Sequence, residues 1–156
     1  MIQFAHMIHN QLKEELKTAM KARDEIRLRT VRSLLAAFTN ELVATKRKPT
    51  DPLPDEDALK VIKRASNQRK DSIEQFKKGG REDLVKTEEE ELLILDGFLP
   101  KQLSADEIRV IVERKKAELG VTDKSGMGKL IGAVMAETKG AADGGEVKEI
   151  IDELLG

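Results

Sequence analysis

Apolar residues recur at intervals of three and four along almost the whole chain, and almost nowhere do they alternate at two. That spacing places them on one face of a 3.6-residue helix and leaves no segment with the alternation of a strand. The chain therefore reads as all-α. Leu12, Leu16, Ala19 and Met20 mark a first helix over 9–22. After Arg23-Asp24 a second stripe runs through Leu28, Val31, Leu34, Leu35, Phe38 and Leu42 and ends near Ala44. Pro49, Pro52 and Pro54 exclude a helix there, since each lacks a backbone N–H, and they predict a stiff polar connection over 46–54. Leu59, Ile62, Ala65, Ile73 and Phe76 carry a long helix over 55–78, which Gly79-Gly80 stops. Leu84, Val85, Leu92 and Leu95 carry the next, over 82–96.

Leu99-Pro100-Lys101-Gln102 reads as a domain boundary. Residues 1–98 are then an N-terminal four-helix part with a long helical hairpin, and 99–156 a small three-helix C-terminal domain. Ser104 with Glu107 has the spacing of a capping box, and Leu103 with Ile108 that of a hydrophobic staple. Gly120 ends that helix. Another spans 125–138 on Met127, Leu130, Ile131, Val134 and Met135, and Asp143 with Glu146 forms a second capping-box pattern before Val147, Ile150 and Ile151.

At 156 residues the chain is long enough to bury a core without staples. With no Cys, disulfides, thiolate metal sites and Cys nucleophiles are excluded. Net charge is -1 but unevenly spread: residues 1–48 hold ten Lys/Arg against five acids, and 81–99 hold two against seven. A basic front and an acidic middle can attract each other within the fold or offer a partner-binding face. The eight residues from Met1 are mostly apolar without a basic flank, too short for a signal peptide or a membrane span. The expectation is a cytoplasmic protein with no membrane and no DNA partner.

Catalytic patterns are absent. His6 and His9, three apart, are half a metal site at most, without a third ligand nearby and on an N-terminal extension expected to fray. The five serines have no histidine near them in sequence. Gly126-Met127-Gly128-Lys129 fails as a P-loop, because Leu130 stands where Ser or Thr is required and Asp123 where a glycine is. Gly126, Gly128 and Gly132 read instead as small residues permitting close helix packing. The loop from Lys139 through Gly140 to Gly144-Gly145 precedes a helix whose free N–H groups suit a phosphate, although Asp143 is placed to take those donors itself.

Two polar features remain. Arg69 lies within the stripe of Ile62, Ser66, Ile73 and Phe76, Glu88 within that of Leu84, Val85, Leu92 and Leu95, and Glu91 at its edge. A hairpin about Gly79-Gly80 brings Arg69 and Glu91, each about eleven residues from the turn, face to face with Glu88 one turn away. The expectation is a largely buried, structural ion pair whose single-sided removal costs about 3–5 kcal/mol. The four Phe are the only aromatic residues, so stacking on single-stranded RNA is not expected. Folded RNA read by shape needs only Lys, Arg, amides and helix ends. Lys124, Lys129, Lys139 and Lys148 are the candidates, with Arg23, Arg27, Arg29 and Arg32 weaker because they share no helical face. A lysine-fringed surface is also the ordinary solvated one.

Lys21-Ala22-Arg23-Asp24, Gln68-Arg69-Lys70-Asp71-Ser72-Ile73-Glu74, Gly80-Arg81-Glu82-Asp83-Leu84 and Leu99-Pro100-Lys101-Gln102-Leu103-Ser104 resemble the YqeY family. So do Met127-Gly128-Lys129-Leu130-Ile131-Gly132 and Lys139-Gly140-Ala141-Ala142-Asp143-Gly144. They stand in the family's order from about Met7, which leaves residues 1–6 as an extra leader or an upstream start. The family is similar to the C-terminal helical and tail region of GatB, a component of the Asp/Glu-tRNA amidotransferase. The resemblance implies two helical domains and a link to tRNA, with amidotransferase subunits or an aminoacyl-tRNA synthetase as protein partners. It does not carry over catalysis, because this chain has no Ser-Ser pair of the amidase signature and no cofactor is expected. Carbon–nitrogen ligase activity with glutamine as amido donor then belongs to the larger enzyme. The expected function is a noncatalytic module binding tRNA around Lys129, Lys139, Gly140 and Gly144. The alternatives are an accessory component of tRNA amidation and a protein–protein adaptor without an RNA role.

Overall fold

The computed structural model describes residues 6–156, and among them every regular element is helical. The chain divides into two compact units, Met1–Leu99 and Pro100–Gly156. Residues 1–5 of the leader assigned from sequence lie outside the described residues. No helix among the described residues is long and apolar enough to cross a membrane.

The first unit holds α1 (Met7–Ala22), α2 (Glu25–Ala44), α3 (Asp55–Lys78) and α4 (Glu82–Asp96). Helix α1 stops because Arg23 turns into the left-handed region at φ 55°. Asp24 then caps α2 by accepting from the Arg27 N–H at 3.1 Å. Three acids in the first turn of α3 and two lysines in its last complement the helix dipole. At the hairpin it is Gly80, at φ 69°, that takes the left-handed conformation, and the Arg81 N–H closes the turn onto the Phe76 carbonyl at 2.9 Å.

Leu12, Val31, Leu34, Phe38, Leu42 and Ile62 form a core almost without solvent contact. Cutting the buried Phe38 back to Ala would cost about 3–5 kcal/mol. The proline connection is not wholly polar, because Leu53 within it is fully buried in this core. Its N–H donates to Nδ1 of His9 at 2.8 Å, and the His9 ring meets the Phe38 ring edge-on at 5.3 Å. His9 therefore does not lie on a frayed extension: α1 begins at Met7, and the Ile8 N–H is fastened to Asp55 at 2.9 Å. The backbone at residue 53 needs an acceptor inside the core, and an imidazole supplies one.

In the second unit, α5 (Ala105–Leu119), α6 (Met127–Thr138) and α7 (Gly144–Leu155) pack mutually around Ile108, Val112, Leu130, Val134 and Ile151. Ser104 and Glu107 form a complete capping box, with Leu103 packed on the core beside Ile108. Gly120 ends α5 at φ 66°. Residues 124–126 form a separate 3-10 turn ahead of α6, because the Asp123 side chain takes the Ser125 N–H. Asp143 caps α7 through the Gly145 N–H, one position short of the capping box its spacing with Glu146 suggested.

Candidate functional site

Helices α3 and α4 fold back on each other, and α4 also packs against α2. This brings together Arg69, Glu88 and Glu91. Nη1 of Arg69 donates to Oε2 of Glu88 at 2.8 Å and also pairs with Oε2 of Glu91. Oε1 of Glu91 accepts from Nε of Arg29 at 2.7 Å. Burial is uneven: Glu91 is 3% exposed, whereas Arg69 and Glu88 are partly buried and the Arg29 side chain is 58% exposed. Glu91, placed by periodicity at the edge of the stripe, is the most buried member because α4 is covered by two helices. The cluster is thus one buried carboxylate held by two guanidiniums.

The other basic residues of this unit diverge. Arg27 pairs with Glu15 at 3.2 Å, Arg23 occupies the end of α1, and Arg32 is exposed. Arg29 is the member of the ion cluster that the sequence did not reveal: within the basic run nothing distinguishes it from its neighbours, since its partner lies 62 positions away.

In the second unit the structure spreads the four lysines apart. Lys124 lies in the 3-10 turn ahead of α6, Lys129 in the first turn of α6, Lys139 at its end and Lys148 on α7. Lys129 and Lys139 are about 15 Å apart along the helix axis. All four are exposed, and none makes an ion pair among the described residues. Of the other basic residues of the domain, Lys101 and Lys116 likewise make no ion pair among the described residues, and three are engaged. Arg109 pairs with Glu153 at 2.6 Å, Arg114 with Glu137, and Lys115 with Glu118 at 3.3 Å and Glu137 at 3.5 Å. The Arg114 hydrogen bond holds the Glu137 carboxyl below its usual range.

Lys139 adopts the left-handed conformation at φ 44°, a strained position for a residue with a Cβ. The loop that follows is fastened from within the unit. The Gly140 carbonyl accepts from the Gln102 amide at 3.1 Å, and that of Ala141 from the Leu103 N–H at 2.8 Å. Beyond Gly144, Asp143 holds the Gly145 N–H at 2.8 Å, so a phosphate at this turn would meet a carboxylate. Close packing accounts for only one of the three α6-region glycines. A Cβ on Gly126 would come within 2.6 Å of Val121, whereas Gly128 and Gly132 face open space. No group of three or more His, Asp or Glu able to hold a metal occurs among the described residues.

These features define an all-helical protein of two compact units, the first with an internal ion cluster and the second fringed by unpaired lysines. The chain belongs to the YqeY family, whose model, described as Yqey-like protein, matches residues 9–155. Its curated relatives include proteins named Altered inheritance of mitochondria protein 41, mitochondrial. That of Kluyveromyces lactis is 34% identical over 76% of this chain and 66% of its own length. The Saccharomyces cerevisiae protein is 33% identical over 81% and 67%, and that of Pyrenophora tritici-repentis 32% over 94% and 80%. The chain spans about half to two thirds of the length of the yeast relatives. The cytoplasmic assignment is overturned by these relatives, which are named as mitochondrial. Its basis was the lack of a signal-peptide or membrane-span pattern in the first eight residues, which does not distinguish one aqueous compartment from another.

Proposed function

We propose that this chain is a noncatalytic helical module that binds tRNA through its C-terminal domain. The observation that carries the reading is the division of charge there. Arg109, Arg114 and Lys115 are engaged with carboxylates, while Lys124, Lys129, Lys139 and Lys148 stand exposed without one, as does Lys101, and Lys116 is also unpaired among the described residues. Exposed, unpaired lysines on a three-helix scaffold suit the phosphates of a folded RNA, which needs no aromatic platform. The family's similarity to the amidotransferase tail favours tRNA among polyanions. Amidotransferase subunits or an aminoacyl-tRNA synthetase are the protein partners that would share that RNA. The relatives' names support a mitochondrial setting.

The test is a gel-shift titration with total tRNA and a duplex-RNA control at two salt concentrations. Preferential tRNA binding that weakens with salt, by about one unit of log–log slope per phosphate contact, supports the reading. Lys129→Ala combined with Lys139→Gly removes two cations and relieves the left-handed residue, so it should weaken binding without lowering the melting temperature. Absence of tRNA preference at low salt, or unchanged affinity in that variant, overturns the assignment.

A further inference from the structure

The first unit contains a cavity of about 290 Å³ between α2, α3 and α4. Its floor is apolar, built from Leu34, Ala37, Ala65 and Leu95. Protein interiors are ordinarily packed to the density of organic crystals, and larger side chains at 37 and 65 would close the space. Alanine at both positions leaves it open. Arg69 and Glu88 line the same cavity, so one wall carries a guanidinium beside a carboxylate. Ser33 and Ser72 line it too, and neither hydroxyl makes a hydrogen bond within the described residues. Thr30 and Gln68 complete the lining, so six polar residues surround the apolar floor, a make-up suited to a small polar molecule with one apolar group, and the volume lies just below the usual range for ligand sites.

The charges specify what such a molecule carries. Of the lining residues only Arg69 and Glu88 are charged, and they match each other, so the wall has no net charge. An ion of either sign would lose hydration there without net attraction in return. A molecule bearing both an ammonium and a carboxylate meets an opposite charge for each. The hydrogen bond of Arg69 to Glu88 runs from Nη1, and Nε and Nη2 donate none among the described residues, so both can meet a carboxylate. Glu88 engages Arg69 through Oε2, leaving Oε1 for an ammonium.

We propose that this cavity binds a free α-amino acid with an aliphatic side chain, its charged groups against Arg69 and Glu88 and its side chain on Ala37 and Ala65. The experiment is a titration of the full chain with L-leucine, followed by amide NMR. N-acetyl-L-leucine, without the ammonium, and L-leucinamide, without the carboxylate, are titrated in parallel. The expected result is saturable shifts centred on Ala37, Ala65 and Ser72, with a Kd in the millimolar range for so small a ligand. Each blocked analogue should bind at least about tenfold more weakly, the loss of one charge-assisted contact. Ala65→Leu fills the cavity and should abolish the response, and Ser72→Leu fills it from the other side should the first variant not fold. No saturable shift by about 50 mM, well beyond that Kd, overturns the proposal. So does an equal response to all three compounds, or leucine binding retained in a folded, filled variant.

Discussion

Nε of Arg29 lies 2.7 Å from Oε1 of Glu91, joining the N-terminal part of α2 to the buried face of α4 across 62 positions of sequence. Because Glu91 also pairs with Arg69, and Arg69 with Glu88, losing one arginine does not strand the carboxylate. The cost of Arg69→Ala should therefore fall to about 2–3 kcal/mol, below the range for a buried charge left alone. Arg29→Ala, at a side chain more than half exposed, should cost about 1 kcal/mol or less. The double variant should lose more than the sum of the two, since Glu91 then has no cation. Urea melts of the two singles and the double check this, and strict additivity would show that the arginines do not share Glu91.

His9 gives the fold a pH dependence of known sign. Its Nδ1 accepts from the Leu53 N–H, so the ring must be neutral there. Burial lowers its pKa, reinforced by Lys13 and His6. Between that lowered value and about 6.5 the unfolded chain binds more protons, so stability rises with pH. The His9 contribution is complete above about 6.5 and is lost as pH falls toward the folded value. Denaturant midpoints between neutral and mildly acidic pH should decline in the native chain. His9→Gln, which keeps an acceptor without the titration, should show a smaller decline, and parallel curves would contradict this.

Gly132 lies in the interior of α6 with open space where a Cβ would project. Gly132→Ala should raise stability by about 0.8–1 kcal/mol through helix propensity alone. Gly126→Ala should lower it, because Val121 stands in the way at 2.6 Å. Thermal melts of the two variants should move in opposite directions.

The capping box at the start of α5 makes a local prediction. Ser104→Ala removes the acceptor that holds the Glu107 N–H at 3.2 Å and should cost about 1 kcal/mol. Hydrogen exchange at the Glu107 amide should quicken in that variant, while the amides of α3, in the other unit, stay unchanged.

Helix identity was readable because each stripe, breaker and cap involves residues within one or two turns of each other. Pro54 stands at the start of α3, Ser104 caps α5, and Gly120 ends that helix in the left-handed conformation, each by its own stereochemistry. Arg23 and Lys139, which take that conformation without being glycine, carry no comparable signal. The equal spacing of Arg69 and Glu91 about Gly79-Gly80 could be counted along the chain. Arg29 could not be assigned to them, since a basic residue on a helix surface has no one-dimensional mark of which carboxylate it will meet. The same limit placed His9 on a fraying end and read Gly128 and Gly132 as packing residues.

Periodicity and capping are short-range physics, so the all-helical class and the main helix boundaries can be read along the chain. That Glu91 is the buried acid, that Arg29 shares it, and that Ala37 and Ala65 border a cavity emerges from the packing of the helices. Those outcomes depend on which helix covers which face, and packing between helices is set by contacts that sequence separation does not encode.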